Sequence, residues 1–214
     1  MSKEALARRD RSILKLMEEG IPHYADLPVI ETEAEAKRRS TEGVAHRAIA
    51  LCLVAVKGEG LEQEPLLKLV AKYRAEDYFT PKEEVFIHNA DPTQHDRVQF
   101  AWRYECYWVL LWALGFVDRL SQPREICDVP RAVGILRDLG REGFLKEAKL
   151  RSQNEILDAA DLIYRYDWAV VDARVNGREA PPGLDPGVVM ERHYALNWLI
   201  GAEDEDWDDI HTNT

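Results

Sequence analysis

The chain has 214 residues, 46% of them hydrophobic and 31% charged, and a formal net charge of -11. That length can bury a sizeable core, and the composition is that of a soluble globular protein. The acidic balance disfavours nucleic-acid phosphates and anionic membranes as partners and suits a basic protein partner. Cys52, Cys106 and Cys127 form no Cys-x-x-Cys pair, and two of them sit in apolar runs, so free thiols in a reducing cytosol are expected over a disulfide framework. The N-terminus has no apolar signal core. The longest apolar run, Cys106 to Val117, is too short to span a bilayer and suits a buried helix.

In chain order, a first helix is predicted over 3–19 and ends at Gly20. Thr32-x-x-Glu35 matches a capping box and opens a predicted helix over 33–57, with a break near Ser40 left open. A helix over 62–75 follows. Thr80-Pro81-x-Glu83 combines a capping box with a first-turn proline and opens a helix over 81–89. The long apolar pattern predicts a helix over 94–119, and a shorter one is predicted over 130–138. Ser152-x-x-Glu155 opens a helix over 152–176. The loop Arg174 to Gly187, rich in glycine and proline, is the clearest interruption. Asp185-Pro186 then starts a last helix over 186–200, closed by Gly201. Only Leu27 to Ile30 and Val85 to Ile87 look β-like, and neither alternates over a useful length. The expected fold is all-α: one domain over 1–214 with the helix 94–119 at its centre. The helices 33–57, 152–176 and 186–200 are expected to pack around it. Residues 202–214 form an acidic tail, partly docked or flexible.

Three charges fall on apolar helix faces. Arg47 shares a face with Val44, Leu51 and Val54. Glu105 shares one with Val98, Val109, Trp112 and Phe116. Arg192 lies among Val188, Leu196, Leu199 and Ile200. Isolated burial of such groups costs several kcal/mol, so pairing is expected, and Glu105 with Arg192, Arg47 or both is the simplest arrangement. A polar clamp between helices is the structural reading. A pocket in which Glu105 acts as a base, or the arginines hold an anion, is the functional one. Trp102, Trp108 and Trp112 on one helix, and Trp168 and Trp198 on others, read as core residues whose indole N–H groups need acceptors.

His88, Asp91 and His95 bracket a loop in which a metal site can be drawn. Their spacing matches no zinc or iron motif, so no metal and no cofactor is expected. His193 and Asn197, one turn apart, flank the apolar stripe around Arg192 and are read as boundary residues. Ser12, Ser40, Ser121 and Ser152 lie in no nucleophile-elbow context. On the helix 152–176, Asp158, Asp161, Arg165 and Asp172 are read as a solvated face, the competing idea being an acidic groove. In the tail, Glu203, Asp204, Glu205, Asp206, Asp208 and Asp209 surround Trp207, with Ile210 following. The aromatic and the isoleucine argue for partial docking.

The stretches Trp102-Arg-Tyr-Glu105-Cys-Tyr-Trp-Val-Leu-Leu-Trp112-Ala-Leu-Gly115, Pro123 to Asp128, Asp161-Leu-Ile-Tyr-Arg165-Tyr-Asp-Trp168-Ala and Glu191-Arg-His193-Tyr-Ala-Leu-Asn197-Trp198-Leu carry a family resemblance. So do Asp206-Trp207-Asp208, Arg39-Ser40 and Arg47. Together they resemble the family called domain of unknown function 4272 over nearly the whole chain. The resemblance implies a soluble, mainly helical, mostly bacterial domain and supplies no catalytic residues. The leading expectation is a cytoplasmic, cofactor-free protein-binding or regulatory domain without catalytic activity. A toxin-neutralising role would be one concrete form of it. The alternative is an enzyme or small-ligand site around Glu105, Arg192, His193 and Asn197. Oligomeric state, monomer or homodimer, is open.

Overall fold

Short polar side chains start most of the helices. Ser2 and Ser40 accept from the amides of Glu4 and Gly43, and Asp128 and Asp185 from those of Arg131 and Val188. Thr80, Thr93 and Ser152 each close a full capping box with the carboxylate three residues on. The computed structural model describes residues 2–202 and 205–213, among which there are α-helices and short 3-10 turns but no β-strand. The helices are α1 Lys3–Glu18, α2 Thr41–Glu59, α3 Gln63–Tyr73, α4 Pro81–His88, α5 Gln94–Ala101, α6 Arg103–Ala113, α7 Val129–Glu147, α8 Gln153–Val175 and α9 Pro186–Ile200. The all-α expectation holds. Among the described residues no helix is long and apolar enough to cross a membrane.

The chain divides into two compact units that interleave along the sequence. The first comprises Met1–Arg39, Leu120–Ile126 and Arg151–Thr214. Within it α8 packs along α9 on one side and α1 on another. The second comprises Ser40–Arg119 and Cys127–Leu150, and there α2 packs against α3, α4, α5, α6 and α7. Alanines at 45, 48, 50 and 55 keep α2 slim, and it is buried on nearly all sides. Gly58 marks its closest approach: a Cβ there would lie 2.5 Å from the Ala101 amide nitrogen of α5. Cys52, Cys106 and Cys127 are free and buried, and burial pushes the Cys52 thiol up to about 12.

Three element boundaries differ from the sequence reading, each for a tertiary or backbone reason. Only half of the Thr32–Glu35 box forms: Glu35 accepts from the Thr32 amide and hydroxyl, but its own amide donates to the Thr32 carbonyl, and the segment makes a single turn. The Lys37 amide then donates to the Ile200 carbonyl at the end of α9 instead of to its own helix. The break falls at Ser40, which caps α2 anew. The predicted helix 94–119 is two helices meeting at Trp102. The second, α6, is buried from Tyr104 to Ala113, whereas no residue of α5 is fully buried. It stops short of 119 because Gly115 turns the chain at φ 83°. The helix predicted over 130–138 continues past Gly140 (φ 62°, ψ 179°) and resumes to Glu147. There Phe144 stacks on Phe116 with ring centroids 4.6 Å apart. Of the two β-like stretches, Leu27 to Ile30 is irregular and Val85 to Ile87 lies inside α4.

Candidate functional site

In the second unit Arg47 pairs with Glu83, both enclosed. Glu83 is the capping-box carboxylate of α4, and it also accepts from the Thr80 amide at 3.1 Å. The sequence reading placed Glu83 only as a cap and did not name it as Arg47's partner. Glu105, 2% exposed, accepts from the Cys127 main-chain N–H and so ties the first turn of α6 to the start of the segment leading into α7. Trp108 is buried with the Arg131 guanidinium 5.9 Å from its ring, and Trp102 is half-buried at the α5–α6 junction. His88, Asp91 and His95 are exposed, and no cluster among the described residues is arranged to hold a metal ion. Lys57 is also enclosed in this unit. Its ammonium donates to the carbonyls of Ile87 and Asn89 at 2.8 and 2.6 Å, closing the C-terminal end of α4.

The first unit gathers the residues of α8 and α9. Arg192, 3% exposed, donates to the Ser121 carbonyl at 2.8 Å. Glu105 falls in the second unit and Arg192 in the first. Asp161 and Arg165 are not a solvated face. They are sealed, at 0% and 2% exposure, and joined by two parallel hydrogen bonds of 2.9 Å. The Arg165 Nη2 also donates to the Pro28 carbonyl at 3.4 Å. Asp158 and Asp172, on the same helix, do reach water. Arg8 on α1 is another enclosed cation, bonded to Asp158, Glu4 and Asn154. Its position in a charged N-terminal segment hides it from a periodicity argument.

One further buried pair has a chemical bearing. His193 Nδ1 lies 3.2 Å from Asp167 Oδ2, and the two residues are 2% and 4% exposed. A carboxylate only accepts, so Nδ1 carries a proton and donates it, and in the neutral ring Nε2 keeps its lone pair. His193, Asn197 and Ile200 occupy one face of α9 at helical spacing, and all three line a cavity of about 580 Å³. Tyr164 of α8, Ala5 of α1 and its cap Ser2, the segment around Val29 to Glu35, and the C-terminal segment supply the other walls. Tyr164 and His193 rings lie 5.9 Å apart, and burial raises the phenol's pKa. The Thr32 amide and hydroxyl hold the Glu35 carboxyl below its ordinary range. Among the described residues, His193 Nε2 and the Glu31 carboxylate make no hydrogen bond.

The C-terminal segment forms part of this wall because it docks. Trp207, 4% exposed, meets Trp198 and Tyr194 edge-on at centroid distances of 5.3 and 5.1 Å, and its carbonyl accepts from the Tyr194 hydroxyl. Arg39 stacks over Trp198 at 4.8 Å and donates to the carbonyls of Trp198 and Glu205 at 2.9 and 3.0 Å. Asn197 donates to the His211 carbonyl at 2.8 Å. Docking of the tail through Trp207 and Ile210 agrees with the sequence reading. Glu203 and Asp204 lie outside the described residues.

Arg39, Asn197, Trp198 and Trp207 bring together, within the first unit, three of the stretches that carry the resemblance. Residues 8–210 match the family described as domain of unknown function (DUF4272). The chain belongs to that family. No curated protein and no solved structure matches it. The family's description assigns no activity, so the reading of the site rests on its own chemistry. Of the residues singled out in sequence, the cavity brings together His193 and Asn197, with Trp198 and Trp207 behind its C-terminal wall. It adds Tyr164, Glu31 and Glu205 as wall residues, and Asp167 behind His193, none of which the sequence reading proposed.

Proposed function

We propose that the protein is a binding protein that takes a small ligand, or a protruding side chain, into the cavity beside His193. One observation carries the reading: an enclosed imidazole oriented by an enclosed carboxylate at 3.2 Å, on the wall of a cavity of about 580 Å³. Small-molecule sites are concave, partly apolar and furnished with a few fixed polar groups, and roughly 300–1,000 Å³ is their usual size. A buried histidine held in one tautomer is such a group. Binding is favoured over nucleophilic catalysis because Ser2, the one serine on the cavity wall, is engaged as the cap of α1. The expected basic protein partner fits the same reading if it presents a single side chain to the cavity.

The test is ligand-observed saturation-transfer NMR with a fragment mixture. The wild type is compared with Ala202→Trp, which puts an indole into the cavity from its wall. Fragments should saturate on the wild type and lose their signal on the variant. Equal signals on both proteins would place the binding elsewhere and end this reading.

A further inference from the structure

From the cavity's walls we infer that its ligand is an organic ammonium: an aliphatic primary amine, free or at the tip of a lysine side chain. The inference rests on the binding reading above and adds the chemical class. Three of its polar features point the same way.

The first is the imidazole. With Nδ1–H donated to Asp167, Nε2 of the neutral ring offers a lone pair, and the group that satisfies it is a donor. His193 is 2% exposed and Nε2 has no hydrogen-bond partner among the described residues, so this nitrogen is open to a donor entering the cavity. The second is charge. Glu31, Glu35 and Glu205 line the cavity, and among the described residues no lysine or arginine does. Glu35 is occupied by Thr32, and Glu205 lies 3.6 Å from the His211 ring, but the Glu31 carboxylate has no partner among the described residues. Two guanidinium groups bonded to residues of the walls are committed: Arg39 lies over Trp198, and Arg8 is held by Asp158 and Glu4 and donates to the Glu31 main-chain carbonyl at 3.4 Å. The third is the aromatic wall. The Tyr164 ring is within reach of a group at His193, and an aromatic face favours a cation over a neutral or anionic head. Ile200, Ile210 and Val29 supply the apolar lining for an aliphatic stem. A site with an acceptor nitrogen, an unpaired carboxylate and an aromatic face, all on apolar walls, rejects anions by repulsion. It leaves Nε2 unsatisfied with a purely apolar ligand.

The experiment uses ligands that share one stem and differ only in the head: hexylamine, hexanol and hexanoate. Each is titrated into the full chain and followed by amide chemical shifts. Hexylamine should bind saturably at one site, tighter than hexanol, while hexanoate shows no binding. Glu31→Gln and His193→Gln should each weaken hexylamine about tenfold, the usual scale for losing a charge-assisted hydrogen bond, with little effect on hexanol. A peptide, acetyl-Gly-Lys-Gly-amide, distinguishes the sources. Peptide binding comparable to hexylamine supports a lysine of a partner protein, and hexylamine binding without peptide binding supports a free amine. Hexanol or hexanoate binding as tightly as hexylamine in this cavity overturns the ammonium assignment and leaves the binding reading standing. No shift near His193 with any of the four probes overturns both. Hexylamine binding that ignores both substitutions, on proteins with wild-type amide spectra, is attraction to the acidic surface and also overturns the assignment.

Discussion

Gly58→Ala tests the packing that holds the second unit together. An added Cβ would meet the Ala101 nitrogen at 2.5 Å, the Arg97 carbonyl oxygen at 2.7 Å and the Ala101 Cα at 3.0 Å. All three are backbone atoms of α5, so no side-chain rotation relieves the clash. Ordinary non-bonded contact needs about 3.5 Å, so α2 and α5 must part by about 1 Å, forfeiting a quarter to a half of the dispersion energy across the seam. Overpacking of this kind costs roughly 1–3 kcal/mol or more. Against it stands the helix propensity of alanine over glycine, about 1 kcal/mol in favour of the variant. The net expectation is a loss of about 1 kcal/mol, reaching about 2 at the upper end of the overpacking cost, read as a lower urea midpoint with an unchanged slope. Gly134→Ala is the control. Its Cβ would meet only the far end of the Arg137 side chain, at 3.6 Å, so it should be neutral or stabilising. A Gly58→Ala protein as stable as the wild type, or an equal loss in both variants, would refute the close crossing of α2 and α5.

Two further stability predictions concern buried charges. Arg165→Met strands the Asp161 carboxylate, which is 0% exposed, and should cost about 3–5 kcal/mol in urea unfolding. The double variant Asp161→Leu/Arg165→Met should recover most of that loss, and a double variant as weak as the single one would contradict the argument. Burial, helped by the Arg97 charge, lowers the Lys57 ammonium to about 8. Its unfolded value is about 10.4, so between pH 8 and pH 10 the unfolded chain binds the additional proton. The stability carried by this group is therefore flat below pH 8 and rises toward pH 10. Measured against Lys57→Met, the wild type should gain ground over that interval, and a difference that stays constant or shrinks would be the wrong sign.

What was legible in the sequence was local. The capping boxes at Thr80 and Ser152, the Asp185-Pro186 start and the Gly201 stop involve residues three or four apart, and each forms as read. The apolar run of α6 announced its burial in the same way. The break before Ser40 was only half legible. Half of the Thr32–Glu35 box is present, and what ends the turn is an amide spent on a carbonyl far along the chain, at Ile200. The Asp161–Arg165 pair shows the limit of charge patterning. An acid and a base one turn apart read identically whether water or protein surrounds them, and only the neighbours of α8 decide. His193 was read as a boundary residue on the rim of the Arg192 stripe, whereas it is buried at 2% exposure. Its partner, Asp167, lies 26 residues away on another helix, and no spacing rule joins the two. The cavity itself is assembled from five separate stretches of chain, so its existence was not written in any one of them.

The most direct measurement is the nitrogen NMR spectrum of the histidine rings, assigned by a His193→Gln variant, with and without hexylamine. The account predicts a His193 ring whose Nδ1–H stays hydrogen-bonded to Asp167 throughout, while its Nε2 resonance moves on titration and saturates. A spectrum in which only exposed histidines such as His211 respond, or in which the His193 proton sits on Nε2, would contradict it.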